Sequence, residues 1–284
     1  MSSALTVLPM SQEIKLNPGE RIEGSITIAN PASSTEDFEY VATVSPYNVV
    51  GEDYTLDLSA NDATQIVNWI RIYEPEGSVK PNESKELKFR IKVPKDAPAG
   101  GQYAMITVRS KSAAQEGEMS FGIQDVFEMG SIIYGKVSGQ TVRKGEILGN
   151  SIPGFSTVTP VTVSYQVSNN GNIHEKAIQT LTVKNVFTGE QVFPKDDETN
   201  RFSEYIMPSS TRYLTRTLDR LSNLGVYEVH QTIEYLGEKS DVTQVLIVCP
   251  LWFLMLVIAT FIALVATIVR IFKKHHKKSK QEVL

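Results

Sequence analysis

Residues 85–93 read KELKFRIKV. Leu87, Phe89, Ile91 and Val93 alternate with Lys88, Arg90 and Lys92, a period of two that turns one face of a strand to a core and the other to water. The same alternation recurs in RIEGSITIAN (21–30) through Ile22, Ile26 and Ile28, and in VTVSYQVSNNGN (161–172) through Val161, Val163, Tyr165 and Val167. Between such runs stand turn signals: NPGE at 17–20, NPASS at 30–34, KPNES at 80–84, DAPAGG at 96–101 and NNGN at 169–172. There Pro presets φ, and Gly and Asn accept positive φ. No long stretch before residue 249 has a helical face. Short half-buried strands joined by turns predict β-sandwiches.

The pattern occurs twice, so the expected fold is all-β: two tandem immunoglobulin-like β-sandwich domains followed by one C-terminal transmembrane helix. The first domain is placed at 1–137, with strands near 65–73 and 121–134 among others and a polar hairpin tip at 110–118. The second is placed at 138–249, beginning at YGKVSGQTVRKGE (134–146). At 284 residues the chain is long enough for two such cores and an appendage.

From Leu251 to Val269 there is no charge and hardly a polar atom. A helix from Leu251 to Phe272 is about 33 Å long, enough for a bilayer core of roughly 30 Å. Residues 250–272 therefore form the expected span. Pro250 suits the first helical turn, and Trp252 is the expected interfacial anchor. Arg270, Lys273 and Lys274 open a basic tail, residues 273–284, that by the positive-inside rule stays in the cytoplasm. The body then faces outward: a cell-membrane, single-pass, surface-exposed protein. The tail pair His275 and His276 reads as solvated rather than metal-binding.

An outward-facing body needs an export signal, and MSSALTVLPMSQEIKLNPGE has no basic start followed by an apolar stretch. The expectation is a signal peptide upstream of residue 1. The alternative, a tail-anchored chain with a cytoplasmic body, puts the lysines on the wrong side. Residues 1–244 hold 22 basic and 31 acidic residues, a net charge of −9, which disfavours nucleic acid as a partner. Cys249 is the only cysteine, so neither an internal disulfide nor a zinc cluster of cysteines can form.

Lined up, LNPGERIEGSITIANPAS (16–33) and VNWIRIYEPEGSVKPNESKELKFRIKVPKDAPAGGQYAMITV (67–108) resemble the peptidoglycan-binding domain of bacterial WxL-interacting surface proteins. The shared progression is Trp-Ile, a Pro-x-Glu-Ser turn, an amphipathic strand and a Pro-Gly bend. VSYQVSNNGNIHEK (163–176), LTVKNVFTGEQVF (181–193) and IMPSSTRYLTRTL (206–218) are similar to the second, host-binding domain of those proteins, and a span with a basic tail completes their layout. The resemblance implies a non-catalytic membrane-anchored adhesion component that holds cell-wall peptidoglycan and partner surface proteins, with no cofactor. The alternative is a membrane-proximal scaffold or pilus-chaperone-like assembly subunit that binds only proteins.

Catalytic motifs do not emerge. There is no Gly-x-Ser-x-Gly elbow, His-Glu-x-x-His, phosphate-cradling glycine loop or paired-cysteine motif. His174 and His230 are the only histidines of the body and lack a recognisable nucleophile, so the chain is expected not to be an enzyme. KDDETN (195–200) offers Asp196, Asp197 and Glu198 without the spacing of a calcium loop and reads as a solvated turn. The candidate ligand contacts are Trp69, which on a strand serves as a stacking platform or a core plug, and Tyr47 and Tyr54 around SPYNVVGEDY (45–54).

Overall fold

The computed structural model describes residues 5–111, 128–195 and 198–281, so the loop expected at 110–118 lies largely outside the described residues, as do Asp196 and Asp197. The first run of strands is β1 (Thr6–Leu8), β2 (Ser11–Leu16), β3 (Arg21–Ala29), β4 (Phe38–Pro46), β5 (Asn48–Val50), β6 (Thr55–Asp57), β7 (Ile70–Ile72), β8 (Glu76–Val79), β9 (Ser84–Lys92), β10 (Gly100–Ser110) and β11 (Glu128–Val137). The second is β12 (Gly145–Ser151), β13 (Phe155–Ser156), β14 (Val161–Asn169), β15 (Glu175–Asn185), β16 (Gln191–Phe193), β17 (Arg201–Ile206), β18 (Ser210–Leu218), β19 (Gly225–Tyr235) and β20 (Glu238–Val248). A helix, α1 (Leu251–Gln281), follows. The all-β class read from the alternation is the class observed, in two immunoglobulin-like sandwiches.

Among the described residues the first sandwich pairs a sheet of order β1-β3-β9-β7 with one of order β2-β11-β10-β4-β8. Ile26, Ile28, Leu87, Phe89 and Ile91 of one sheet and Tyr40, Ala42, Ile106, Val108 and Ile133 of the other share a single core. In the β3–β9 ladder Gly24 lies opposite Phe89, and a Cβ at Gly24 would collide with the Phe89 ring, so the glycine makes room for the buried aromatic. β1 pairs with β3, and after Pro9 and Met10 the chain crosses to the other sheet, where β2 runs parallel to β11. One edge of an otherwise antiparallel sheet is thereby parallel.

The strand expected at 65–73 is corrected. Residues Asp62–Asn68 form a 3₁₀ helix, and only Ile70–Ile72 are extended. Asn61 caps the helix: its side chain accepts from the Ala63 N–H at 2.9 Å, and the Thr64 hydroxyl accepts from the Asn61 N–H at 2.8 Å. That reciprocal capping outweighs the strand preference of Ile66 and Val67. Gln102 of β10 holds the helix from below, its side-chain oxygen accepting from the Ile66 N–H at 3.2 Å.

By packing, the chain divides into a unit of residues 1–146, 167–177 and 205–213 and a unit of residues 147–166, 178–204 and 214–284. Neither is continuous in sequence. In the second sandwich a sheet of order β12-β14-β18 faces one of order β13-β20-β19-β15-β16, with β17 also on β15. Val161, Val163 and Leu218 meet Leu181, Val183, Val229 and Leu246 in its core. Inside it, Gln231 donates to Asn150 at 2.6 Å and to the Ser164 carbonyl at 3.0 Å, and accepts from Gln179 at 2.9 Å. Gln231 is fully buried. Gln231→Ala strands these partners, and a loss of about 1–3 kcal/mol in urea unfolding is expected; an unchanged midpoint would show the network to be dispensable.

β20 ends at Val248, and the Cys249 N–H donates to the Ser156 carbonyl at 2.9 Å, so the sandwich is ordered to within a residue of the helix. The N–H groups of Phe253 and Leu254 then donate to the Pro250 carbonyl. Residues Leu251–Ile271 have a mean hydropathy of 2.7 and none of this segment is buried. It is long and apolar enough to cross a membrane.

Candidate functional site: a tyrosine–histidine cluster and an open sandwich flank

Of the residues picked from sequence, Trp69 is 9 % exposed and belongs to the first core. It closes the 3₁₀ helix, its N–H donating to Ile66 and its carbonyl accepting from Lys92. Tyr47 and Tyr54 are brought together, half-buried, around Tyr103, Tyr134 and Met207. Trp252 and Arg270 are exposed on α1. Lys273 and Lys274 continue that helix, with their side chains outside the described residues.

Tyr54 sits at positive φ in the β5–β6 turn. Its hydroxyl lies 2.6 Å from the Ser210 hydroxyl and accepts from the Met207 N–H at 2.8 Å. The Arg212 guanidinium stacks 4.3 Å from the ring centroid. The hydroxyl and a ring face of this tyrosine are thus engaged internally, which makes it a latch within its unit.

Behind it lies His174, fully buried. The NNGN turn places it: Asn169 donates to the carbonyls of Ile173 and Ile206 and accepts from the Gly171 N–H. The Tyr103 hydroxyl accepts from the His174 N–H at 3.0 Å and lies 3.1 Å from Nδ1. The Nδ1 contact lets the phenol donate to a ring protonated on Nε2, the tautomer that turns an N–H toward the Glu13 carboxylate. Nε2 faces Glu13 at 3.7 Å, too long for a hydrogen bond.

Burial first, and then the Lys136 ammonium, push the His174 pKa down to about 4, against an opposing pull from Glu13. The imidazole is therefore neutral at neutral pH and its approach to Glu13 is not an ion pair. Glu13 is pushed up by burial, but hydrogen bonds from Lys136 at 2.7 Å and Tyr205 at 2.9 Å outweigh this and hold it below the ordinary carboxylate range. Tyr134 packs 4.5 Å from Tyr205 and 5.1 Å from His174. The neutral, enclosed imidazole packs among Tyr103, Tyr134 and Tyr205. His230 instead lies on β19 beside Thr243, with Asp241 4.0 Å away. Among the described residues no group of three His, Cys, Asp or Glu side chains converges to hold a metal.

The accessible feature is on the second sandwich. β18 is the last strand of its sheet, and β16 and β17 form the edge of the facing sheet. Between them is a cavity of about 420 Å³ with a floor of Leu181, Val183, Val192, Phe193, Phe202 and Leu218. The Phe193 and Phe202 rings stack at 6.1 Å. Arg216 lies 4.2 Å over Phe202 and pairs with Glu204 at 3.1 Å, while Arg220 pairs with Glu198. Asp219, Thr215 and Thr217 also line the cavity, so the rim is polar and charged and the floor apolar. The Tyr213 N–H of β18 already donates to the Glu52 carbonyl, so it is beside Thr215–Leu218 that an extended chain could add its backbone while alternate side chains enter the cavity.

No protein-family model and no curated protein sequence matches the chain. Solved structures similar to it include a chaperone–tip adhesin complex of CFA/I fimbriae (10 % identity, TM-score 0.40, covering 87 % of this chain and 100 % of that one). Another is the CsuC–CsuE chaperone–tip subunit pre-assembly complex of Acinetobacter baumannii (13 %, 0.38, 85 % and 98 %). A third is the E. coli chaperone DraB (12 %, 0.38, 85 % and 96 %).

Sequence reading had no access to this flank or to the histidine cluster. The flank depends on strand order, and Glu13 and Tyr205, which share a hydrogen bond, are 192 positions apart. The one local signal was NNGN, whose turn propensity sets the loop that delivers His174.

Proposed function

We propose that the chain is a non-catalytic, membrane-anchored binding protein whose second sandwich holds an extended segment of a partner surface protein. The observation that carries this reading is the C-terminal half of β18, Thr215–Leu218, which ends its sheet among the described residues and borders a cavity with an apolar floor. Such an edge offers backbone donors and acceptors, and the cavity supplies sockets for alternate side chains. The span supports anchoring, and the basic tail supports an outward-facing body. The resemblance to WxL-interacting surface proteins supports the same assignment and adds peptidoglycan as a ligand of the first sandwich.

The test places a photo-crosslinking phenylalanine analogue at Thr217, an exposed residue of β18, and at Lys239 as control, in intact cells. The expected result is a crosslink from position 217, and not from 239, to an extended segment of another surface protein, with protease shaving of the same cells removing the body. Retention of the purified body on peptidoglycan without a crosslink at 217 would shift the ligand to wall glycan. Neither crosslink nor retention, or a body protected from protease, would overturn the proposal.

A further inference from the structure

The end of the second sandwich nearest the span differs from its opposite end. Strand register fixes which loops lie there. Gly225 is opposite Val248, the Val186 N–H donates to the Val226 carbonyl, and the Ser156 carbonyl accepts from Cys249. The segments TVTP (157–160), VFTG (186–189) and SNLG (222–225) are therefore gathered beside the point where the chain leaves for α1, and Thr159 and Asn223 join two of them. None of these twelve residues is charged. Their apolar side chains point into solvent: Phe187 is 80 % exposed, Val158 66 % and Leu224 49 %. Phe155, paired beside Ile247, is half exposed. At the other end of the same hairpin, where Tyr235 is opposite Glu238, the chain carries Glu234, Glu238, Lys239 and Asp241.

Glu190, Asp219 and Arg220 flank these segments in their loops, and exposed aromatic and aliphatic residues gathered on neighbouring tips mark an interaction surface. Here continuity names the partner. Only Cys249 and Pro250 separate Val248 from Leu251, the first residue of the apolar helix, and three residue steps reach at most about 11 Å. Once α1 lies in a bilayer, these tips are at the depth of its headgroups.

We propose that this end of the second sandwich seats itself in the interfacial layer of the membrane that holds α1, with Phe187, Val158 and Leu224 inserted among the lipids. The inference rests on the anchoring part of the function proposed above. Insertion of such residues is how non-spanning apolar surfaces bind bilayers, and Trp252, exposed on the first turn of α1, suits the same layer. The seat fixes the tilt of the sandwich on the membrane and so the direction in which β18 faces.

The test uses the full chain with Cys249→Ser, carrying a single bimane label at Phe187→Cys or, as control, Lys239→Cys. The Lys239 position is about 30 Å along β20 from Val248, at about 3.3 Å per residue. The chain is reconstituted in vesicles of equal parts phosphatidylcholine and phosphatidylglycerol, and retention of the chain on the vesicles in sodium carbonate is measured in parallel. A blue-shifted label at 187, quenched several-fold more strongly than that at 239 by lipids spin-labelled near the headgroup, is the expected result. Retention with equal, weak quenching at both positions would overturn the seat and leave the anchor standing. Release of the chain by carbonate would overturn the anchor and the seat together.

Discussion

Replacing Trp69 with alanine is expected to remove about 3–5 kcal/mol from the stability of the first sandwich, the range for emptying a large aromatic from a core. The indole belongs to the cluster that holds Ile66, Ile70, Phe89 and Ile91. The backbone of the same residue joins the 3₁₀ helix to β9 through its bonds with Ile66 and Lys92. Urea denaturation should show a lower midpoint at unchanged slope, since the unfolded surface hardly differs. A Trp69→Ala chain that kept wild-type stability and lost retention on peptidoglycan would reverse the assignment and make Trp69 a ligand contact.

Acidification from pH 7 to pH 4 is expected to cost roughly 3 kcal/mol through His174 alone. Its pKa is about 4 in the folded chain, against an ordinary value near 6.5. Between these values the unfolded chain binds a proton that the folded chain excludes. The contribution of the neutral histidine is thus fully present above about pH 6.5 and is lost as pH falls toward 4. Glu13 acts in a lower window. Its pKa is depressed, so what it contributes is present above the ordinary carboxylate value and is lost as pH falls below it. His174→Asn keeps a neutral acceptor for Tyr103 but does not titrate. Its stability, measured by urea unfolding at pH 7, 6, 5 and 4, should stay flat down to pH 5, where the parent already declines. Parallel curves for the two proteins would show that His174 is not the group responsible.

The two effects arise at residues of different legibility. Trp69 stood out in the sequence as an aromatic in an apolar run, and its burial was one of the two readings weighed there. Its conformation was not legible, because the Asn61–Thr64 capping box competes locally with the strand preference of the residues after it. His174 could be seen only as a histidine after a turn. Nothing within a window of ten residues reveals that Tyr103 supplies its hydrogen bond, that Tyr134 and Tyr205 enclose it or that Lys136 discourages its protonation. Tyr47 and Tyr54 were singled out as contacts for a ligand, and what the sequence did not reveal is that their rings pack against Tyr134 and Arg212.

The sequence alone determined the features set by local periodicity and composition. Alternation at 21–30, 85–93 and 161–168 requires strands with one buried face, and Gly, Pro and Asn mark where they turn. An uncharged run from Leu251 to Val269 requires a helix whose surface is apolar all round. These follow from single-residue transfer energies and backbone preferences, which do not depend on distant neighbours. Tertiary structure decided which strands become edges, and hence that β18 borders an open cavity. It also decided that Glu13, Tyr103, Tyr134, His174 and Tyr205 share one enclosure, and that three loops with exposed apolar tips meet beside Pro250. A period of two is satisfied equally well by many strand orders and registers. Only the simultaneous packing of both sheets selects one of them, and with it the surfaces through which the protein can act.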